Sequence, residues 1–377
     1  MDLDLSQEHE LLRNTVREFA TARVAPVADE LDRESRFPYE LVAEMAELGL
    51  MGIPIPEEYG GAGSDTLAYA IAIEELTRID SSVAITVAAH TSLGTMPIFL
   101  YGTDEQKSEW LPQLASGQKL AAFGLTEADA GSDAGATRTR AEERDGQWIV
   151  NGSKIFITNA GTDISACVTI TALTGEGEVS NVIVPNGTPG YTISPPMHKL
   201  GWHASDTREL SFKDVAVPEG NLLGERGRGF VQFLEILDGG RISVAAMGVG
   251  LAQGAYDLAY MYAKDRRQFG KPISSFQAVQ FKLADMATEI EAGRALVYRA
   301  AWLKDQGRPF ALAAAQAKLY TGELSNRVVN ASLQMHGGYG FMEESAIARL
   351  YRDQKVLEIG EGTNEVQRMV IAKHLGL

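Results

Sequence analysis

The chain begins with apolar residues at helical spacing. Leu11, Leu12, Val16 and Phe19 fall on one face of a helix. Farther along, short polar side chains precede apolar runs, at the positions where they cap helix starts. These cap candidates are Asp65, Asp80 and Thr103 or Asp104. With no convincing strand in this part, residues 1–120 are predicted to form an N-terminal helical domain.

The pattern changes in residues 121–226, where β-branched residues and turn signals are frequent. Asp145–Gly146 and Asn151–Gly152 are dipeptides typical of β-hairpin turns. Five or more short strands in about a hundred residues indicate a compact sheet. We expect a central antiparallel β-barrel-like domain.

Helical spacing returns in residues 227–377. Phe230, Phe233, Leu234 and Leu237 repeat at intervals of three and four residues. Two further long helical stretches and a short one follow, with short loops between them. Such a series predicts a C-terminal four-helix bundle. The predicted fold class is therefore an α+β multidomain protein.

Composition excludes several classes of function. The chain has 377 residues and a net charge of −16, which argues against nucleic acid as a partner. Cys167 is the only cysteine, so an intrachain disulfide is impossible. The acidic N-terminus lacks the pattern of a signal or transit peptide, and no apolar run approaches ~18 residues. We expect a cytoplasmic bacterial protein without membrane insertion.

Familiar catalytic motifs are missing. Gly248 and Gly250 begin a near match to the dinucleotide fingerprint, but Gly254 comes one place late and the stretch is helical. The histidines show no metal-binding spacing, so no metal site is predicted. The glycines around Ser132 have the wrong offsets for a nucleophile elbow.

One carboxylate has an unusual setting near the C-terminus. Glu361 stands between Gly360 and Gly362, and Asn364 with Gln367 gives a capping pattern for a last helix. Glycines on both sides allow a ligand to approach, and a covered carboxylate there can act as a general base. The alternative is a solvated glutamate on an ordinary capping turn.

Three other loops are rich in hydrogen-bond donors. They are LTEADAGSD (125–133), RRQFGKPISSFQ (266–277) and QMHGGYGF (334–341). Their backbone amides, hydroxyls and arginine forks can bind a heterocycle or a pyrophosphate. Taken singly, each is equally compatible with a turn, a solvated interhelix loop or a glycine helix cap.

Together these motifs resemble the acyl-CoA dehydrogenase family. Besides the three loops, the resemblance rests on NGSKIFITNA (151–160), SDTRELSFKDVAVP (205–218) and RDQKVLEIGEGTNEVQR (352–368). The motifs span nearly the whole chain and occur in the family's order. The resemblance implies FAD-dependent α,β-dehydrogenation of an acyl-CoA thioester to the trans-2-enoyl-CoA. It also implies flavin N5 as hydride acceptor, electron-transferring flavoprotein as electron acceptor, and a homotetramer built as a dimer of dimers.

The resemblance also implies site residues. Glu361 matches the base that removes the α-proton. Residues matching flavin-binding positions are Leu125, Thr126, Gly131, Ser132, Phe156, Thr158, Thr363 and Glu365, and, across a subunit interface, Arg266, Phe269, Gln277, Gln334 and Gly338. Residues matching substrate-binding positions are Ser132, Asp238, Arg241 and Gly362.

Two glycines depart from common family patterns. Some members carry the base at the position of Gly240, and many have tyrosine at the position of Gly360. Glu361 is therefore the one base candidate that the resemblance provides. The two missing side chains also predict room for an α-methyl branch on the substrate.

Two other kinds of function remain alternatives. A flavin oxidase or monooxygenase shares this fold, although a monooxygenase does not need the base. A non-catalytic flavin- or CoA-binding scaffold is the second alternative, although it would be expected to lose the base or the flavin loops.

Overall fold

The computed structural model describes residues 4–377, so the first three residues of the acidic N-terminus lie outside the described residues. Helices occupy the N-terminal part, a sheet follows, and long helices form the C-terminal part. The predicted fold class is confirmed. One large apolar core joins the N-terminal helices to the C-terminal ones, and the sheet has a core of its own.

The N-terminal helices begin where the polar caps predict. The side chains of Asp65 and Asp80 accept hydrogen bonds from the backbone N–H groups three residues on, and Thr103 forms a capping box with Gln106. The helices are α1 Gln7–Phe19, α2 Ala28–Glu34, α3 Tyr39–Glu47, α4 Thr66–Thr77, α5 Ser81–Ala89, α6 Met96–Tyr101 and α7 Asp104–Ala115.

A short π-helical segment joins α5 to α6, so Ser81–Tyr101 forms one helical stretch of 21 residues. Its mean hydropathy of 1.5 and its length would suit a membrane span by composition. However, 78% of its apolar window is buried inside the protein. The stretch is a core helix of the fold, which explains why it is so apolar.

The sheet has eight strands in the order β6-β7-β3-β2-β4-β5-β8, with β1 paired to β4. The strands are β1 Leu120–Gly124, β2 Arg140–Arg144, β3 Gln147–Thr158, β4 Ser165–Gly175, β5 Glu178–Pro185, β6 Tyr191–Ile193, β7 Thr207–Pro218 and β8 Leu222–Leu223. Inward-facing residues such as Trp148, Val150, Leu210 and Val215 form its core.

Two details of the predicted sheet are wrong. The sheet is mixed rather than antiparallel, because β4 pairs in parallel with β1 and at one position with β2. Asn151–Gly152 is not a hairpin turn; it lies inside β3, where the pairing with β7 shifts register. The turn at Asp145–Gly146 is confirmed, and both of its residues have positive φ.

The C-terminal part is built on α8 Gly229–Asp265, α9 Gln277–Asp305 and α10 Ala311–His336, followed by α11 Ala346–Asp353 and α12 Asn364–His374. A hairpin of β9 Arg267–Gln268 and β10 Lys271–Pro272 joins α8 to α9. Glycines let α8 lie very close to its neighbours. A Cβ at Gly250 would come within 2.2 Å of the Glu74 carbonyl oxygen in α4, and one at Gly248 within 2.8 Å of Thr321 in α10. The near match to a dinucleotide fingerprint therefore serves helix packing.

Candidate active site

Glu361 lies on a tight loop between a 3₁₀ segment, Gln354–Glu358, and α12. The φ angle is +51° at Glu361 and +88° at Gly362, so two successive residues are left-handed. The cap of α12 is Thr363, whose side chain accepts a hydrogen bond from Val366 N; the prediction of Asn364 as the cap is wrong. Asn364 is instead the first helical residue and is buried.

Gln367 does not form the predicted capping box with Asn364, but it stabilises the loop through a different hydrogen bond. Its Nε2 donates to the carbonyl oxygen of Gly362 at 2.9 Å. Glu365, on the first turn of α12, is exposed, with 80% of its side chain accessible. Gln367 therefore holds the loop from the side of α12, and the Glu361 side chain points toward α8.

The carboxylate of Glu361 rests on the backbone of α8 at Gly240. A Cβ built on Gly240 would lie 2.2 Å from Glu361 Oε2, so only glycine allows this position. Oε2 is itself buried and has no hydrogen-bond partner among residues 4–377. A buried oxygen without a partner is costly, so its place in the structure calls for an explanation, such as a catalytic role or a bound water or ligand.

Burial raises the pKa of Glu361 to about 7, even though the nearby charges of Lys318 and Arg241 oppose the increase. A carboxylate with this pKa takes up and releases a proton near neutral pH, as general-base catalysis requires. The solvated alternative for Glu361 does not fit this setting.

Arg241 and Asp238 form an ion pair one helical turn apart on α8. Only 3% of Arg241 is exposed, and its charge acts on the Glu361 carboxylate. Burial lowers the pKa of Arg241 and raises that of Asp238. The predicted substrate residues Asp238, Arg241 and Gly362 therefore lie around the predicted base.

The predicted room for an α-methyl branch is only partly present. The space over Gly240 is filled by the Glu361 carboxylate itself, so this half of the prediction is wrong in this structure. A Cβ at Gly360 would meet the Val356 carbonyl oxygen at 3.4 Å and no atom closer. Any extra room must come from the side-chain space that Gly360 leaves.

The loop 125–133 is attached to β3 by a buried ion pair. Lys154 Nζ contacts Glu127 Oε1 at 2.7 Å and the Leu125 carbonyl oxygen at 3.0 Å, and Ile155 N donates to Thr126 O at 2.8 Å. Burial would raise the pKa of Glu127, but hydrogen bonds from Lys154 and Thr137 hold it at about 2. The pair is therefore ionised at neutral pH and joins Leu125 and Thr126 rigidly to β3.

The predicted flavin residues of β3 follow Lys154 along the strand. Phe156 follows Lys154 at an irregularity in the pairing of β3 with β7, has φ +62° and is 61% exposed. Thr158 is half-buried, and Gly131 and Ser132 lie exposed on the loop. A Cβ on Gly131 would meet no atom within 4 Å. An outward-facing aromatic ring beside an open loop of donors fits a planar heterocycle.

A second group of predicted flavin residues meets at the far end of α8. Arg266 and Gly338 line one open cleft of about 500 Å³, together with His336 and Tyr339. The Arg266 guanidinium lies 5.4 Å from the centre of the Tyr339 ring. A cation beside a glycine-rich turn with free space suits a pyrophosphate or ribose.

The remaining members of this group lie on its outer side. Phe269, at the tip of the β9-β10 hairpin, is 92% exposed, and Gln277 and Gln334 are also exposed. About 25 residues of α8 separate Arg241 from Arg266, which places them roughly 38 Å apart along the helix. The two groups of one chain therefore lie at opposite ends of α8.

Several contributors were not predicted from sequence. Lys154 and Glu127 lie inside motifs that were recognised for their small residues, and Lys318 lies in an alanine-rich run of α10. Lys154 and Lys318 are charged residues at apolar positions of a strand and a helix, which is the signal that could have found them. Glu127 lies on a loop and has no such signal. Across residues 4–377, no group of three or more metal-ligating side chains comes together.

Protein-family models match three successive parts of the chain. They are the acyl-CoA dehydrogenase N-terminal domain at residues 6–118, the middle domain at 122–215 and the C-terminal domain at 227–376. The chain belongs to the acyl-CoA dehydrogenase family. It is thus an oxidoreductase that acts on acyl-CoA thioesters.

Individual relatives are similar over their full length. A probable acyl-CoA dehydrogenase of Bacillus subtilis, YngJ, is 50% identical over 380 residues, with 100% of both chains covered. The structure of butyryl-CoA dehydrogenase from Megasphaera elsdenii is 43% identical with a TM-score of 0.97, again with 100% of each chain covered.

FAD is the cofactor of this family. An acyl-CoA dehydrogenase of Bacillus anthracis, solved in complex with FAD, matches with a TM-score of 0.93 and 35% identity, covering 99% of this chain and 67% of that one. Three features of this chain fit such a cofactor. They are the donor-rich loop 125–133, the exposed Phe156 and the Arg266 cleft.

Proposed function

We propose that the enzyme removes the α-proton of an acyl-CoA thioester with Glu361 and forms the trans-2-enoyl-CoA. The observation that carries this proposal is the carboxylate of Glu361, whose Oε2 is buried above Gly240 and has no hydrogen-bond partner in the described part of the chain. A base without an internal hydrogen bond is available for a substrate proton, and its pKa of about 7 suits the task.

The residues around Glu361 prepare the proton transfer. The fixed loop directs the carboxylate toward α8, and Arg241 with Lys318 supplies positive charge that offsets burial of the anion. Hydrogen bonding to the thioester carbonyl would stabilise the negative charge that develops when the α-proton leaves. The backbone N–H of Glu361 is the donor that we assign to this role.

When bound, FAD supplies the oxidising centre that accepts the β-hydride. We assign Leu125, Thr126, Gly131, Ser132, Phe156, Thr158, Thr363 and Glu365 to its reactive half and Arg266, Phe269, Gln277, Gln334 and Gly338 to its nucleotide half. Ser132 is also assigned to the substrate, with Asp238, Arg241 and Gly362.

A second chain is needed to complete each site, because the two groups lie at opposite ends of α8. Exposed large apolar side chains around the Arg266 end support such an interface. They are Met261, Phe269, Phe281, Tyr339, Phe341 and Met342. We propose a homotetramer arranged as a dimer of dimers, located in the cytoplasm, that passes electrons to an electron-transferring flavoprotein.

Arg266→Ala tests the shared site. We expect lower FAD content and weaker assembly than in the wild type, measured by flavin absorbance and light scattering. The neighbouring Arg267, which is exposed and donates to the carbonyl oxygen of Gly270, gives the control Arg267→Ala. Equal flavin content in the wild type and Arg266→Ala would contradict the assignment.

The substrate proposal rests on Gly360. Without a side chain there, an α-methyl branch can lie beside the base loop. Comparison of kcat/KM for isobutyryl-CoA, 2-methylbutyryl-CoA and butyryl-CoA checks this, and a strong preference for the straight chain would refute it.

The overall reaction has a direct test. Purified protein should be yellow, and acyl-CoA added without oxygen should bleach the flavin and yield enoyl-CoA. A colourless protein, or a flavin that acyl-CoA leaves oxidised, would overturn the proposed function.

A further inference from the structure

Lys318 is a fully buried lysine directly beneath the Glu361 loop. It lies on α10 and has 0% exposure. Its Nζ donates to the carbonyl oxygen of Gly362 at 2.8 Å and to Asn364 Oδ1 at 3.2 Å. These contacts join α10 to the residues on either side of the α12 cap.

The packing of α10 is arranged for this contact. Gly322, one turn after Lys318 on the same face, brings α10 close to the loop, since a Cβ there would lie 3.1 Å from the Leu357 carbonyl oxygen and 3.3 Å from Asn364 Oδ1. The Gly362 carbonyl oxygen thus receives two donors, Lys318 Nζ and Gln367 Nε2. Because Gly362 follows Glu361 directly, this bond fixes the direction of the carboxylate.

A buried ammonium needs a compensating negative charge. Among residues 4–377, no carboxylate lies within hydrogen-bond distance of Lys318 Nζ, and its two partners are a carbonyl oxygen and an amide oxygen. Among the nearby charges, the negative charge of Glu361 acts most strongly to keep Lys318 protonated. The lysine and the base therefore stabilise each other's charged forms across the loop.

We propose that Lys318 is the positioning residue of the base, holding Gly362 and keeping the Glu361 carboxylate ionised in its water-excluded seat. The proposal rests on the proposed function of Glu361 and adds a second residue to it. Burial lowers the pKa of Lys318 to about 8 and raises that of Glu361 to about 7, so the two groups are charged together mainly between these two pH values.

Other charged and titratable groups also act on this pair. Those facing Lys318 and Glu361 are Tyr69 on α4, Arg241 on α8, Glu358 on the 3₁₀ segment and Glu365 on α12. Arg241 is paired with Asp238, whereas Lys318 has no paired carboxylate among the described residues, so loss of Lys318 should change the electrostatic potential at Glu361 more.

Three variants distinguish the effect of the Lys318 hydrogen bond to Gly362 from the effect of its positive charge. Lys318→Gln keeps an N–H donor but loses the charge, Lys318→Met loses both, and Lys318→Arg keeps both. The rate of anaerobic flavin reduction by limiting butyryl-CoA is measured against pH, which reports the pKa of the base in the free enzyme. Flavin content and circular dichroism identify variants that fail to fold.

The acidic limb of this profile should move to higher pH by about one unit in Lys318→Gln and Lys318→Met, because the carboxylate loses a nearby cation. It should stay in place in Lys318→Arg. Lys318→Met should also be slower at every pH, because the Gly362 carbonyl oxygen loses a donor.

Lys199→Met is the matched control. Lys199 is a half-buried lysine that donates to a backbone carbonyl oxygen, that of Ser205, and its pKa is lowered by burial to about 8. It lies on the β6-β7 connection and should leave the limb unchanged. If the wild-type flavin is reduced but the limb stays in place in Lys318→Gln and Lys318→Met, the proposal fails. Failure of the wild-type flavin to be reduced would instead refute the proposed function.

Discussion

Glu361 Oε2 occupies the place that a side chain at Gly240 would take, 2.2 Å from where its Cβ would stand. The base and this glycine are 121 residues apart in sequence, yet each fits only because of the other. The absence of a side chain on α8 is therefore what gives the carboxylate its position.

Gly240→Ala should displace the Glu361 carboxylate and slow flavin reduction by about a hundredfold, because a shift of about 1 Å in a reacting group can cost this much. Stopped-flow reduction of the bound flavin measures the effect. Gly239→Ala is the control, since its Cβ would meet only the flexible end of Lys304 at 3.2 Å. Equal rates in the two variants would show that the position of the Glu361 carboxylate over Gly240 is not important for flavin reduction.

The raised pKa of Glu361 also predicts how stability depends on pH. The carboxyl has a pKa of about 7 in the folded state against 4.5 as the reference value, so its ionisation favours the unfolded chain. The resulting loss of stability develops as pH rises from about 4.5 to 7 and persists above that. Glu361→Gln, which cannot ionise, should avoid it.

Thermal unfolding at about pH 5 and about pH 8 tests this expectation. Glu361→Gln should raise Tm over the wild type more at the higher pH, whereas Glu18→Gln on the exposed face of α1 should not. A Tm difference that is the same at both pH values would contradict the assigned pKa.

The pair of Lys154 and Glu127 should be essential for both stability and flavin binding. Its side chains are 0% and 8% exposed, and breaking a buried pair by removing one partner costs about 3–5 kcal/mol. Glu127→Gln should thus lower the unfolding free energy in urea and release flavin.

The exposed pair of Asp129 and Arg138 lies on the same loop, with 67% and 75% of the side chains accessible, and provides the comparison. Asp129→Asn should change stability by less than about 1 kcal/mol. Similar losses in Glu127→Gln and Asp129→Asn would mean that burial does not set the importance of the Lys154 pair.

Sequence patterns predicted the helices well because the caps are local. Asp65, Asp80 and Thr103 each bond a backbone N–H within three residues. The parallel pairing of β1 with β4 could not be predicted, because it joins strands about 45 residues apart through contacts that leave no local signal. Asn151–Gly152 was wrongly predicted to be a hairpin turn for a related reason, since its tertiary pairing with β7 outweighs its turn preference.

The site likewise combines features that local sequence predicts with features that depend on tertiary packing. Its residue types and order were recognisable as family motifs, which placed Glu361 and the flavin loops. The seat on Gly240 and the support from Lys318 were not predicted, because both depend on how α8 and α10 approach the loop. Sequence therefore indicated which residues we assign to the reaction, whereas packing determined how they are held.

The proposed reaction depends on removal of the α-proton by Glu361. Its most direct test is anaerobic reduction of the bound flavin by acyl-CoA in the wild type and Glu361→Gln, followed by absorbance. Both should bind FAD and acyl-CoA, and the variant should be slower by roughly 10²–10⁴-fold, as expected for loss of a general base. Flavin reduction in Glu361→Gln at the wild-type rate would contradict the account.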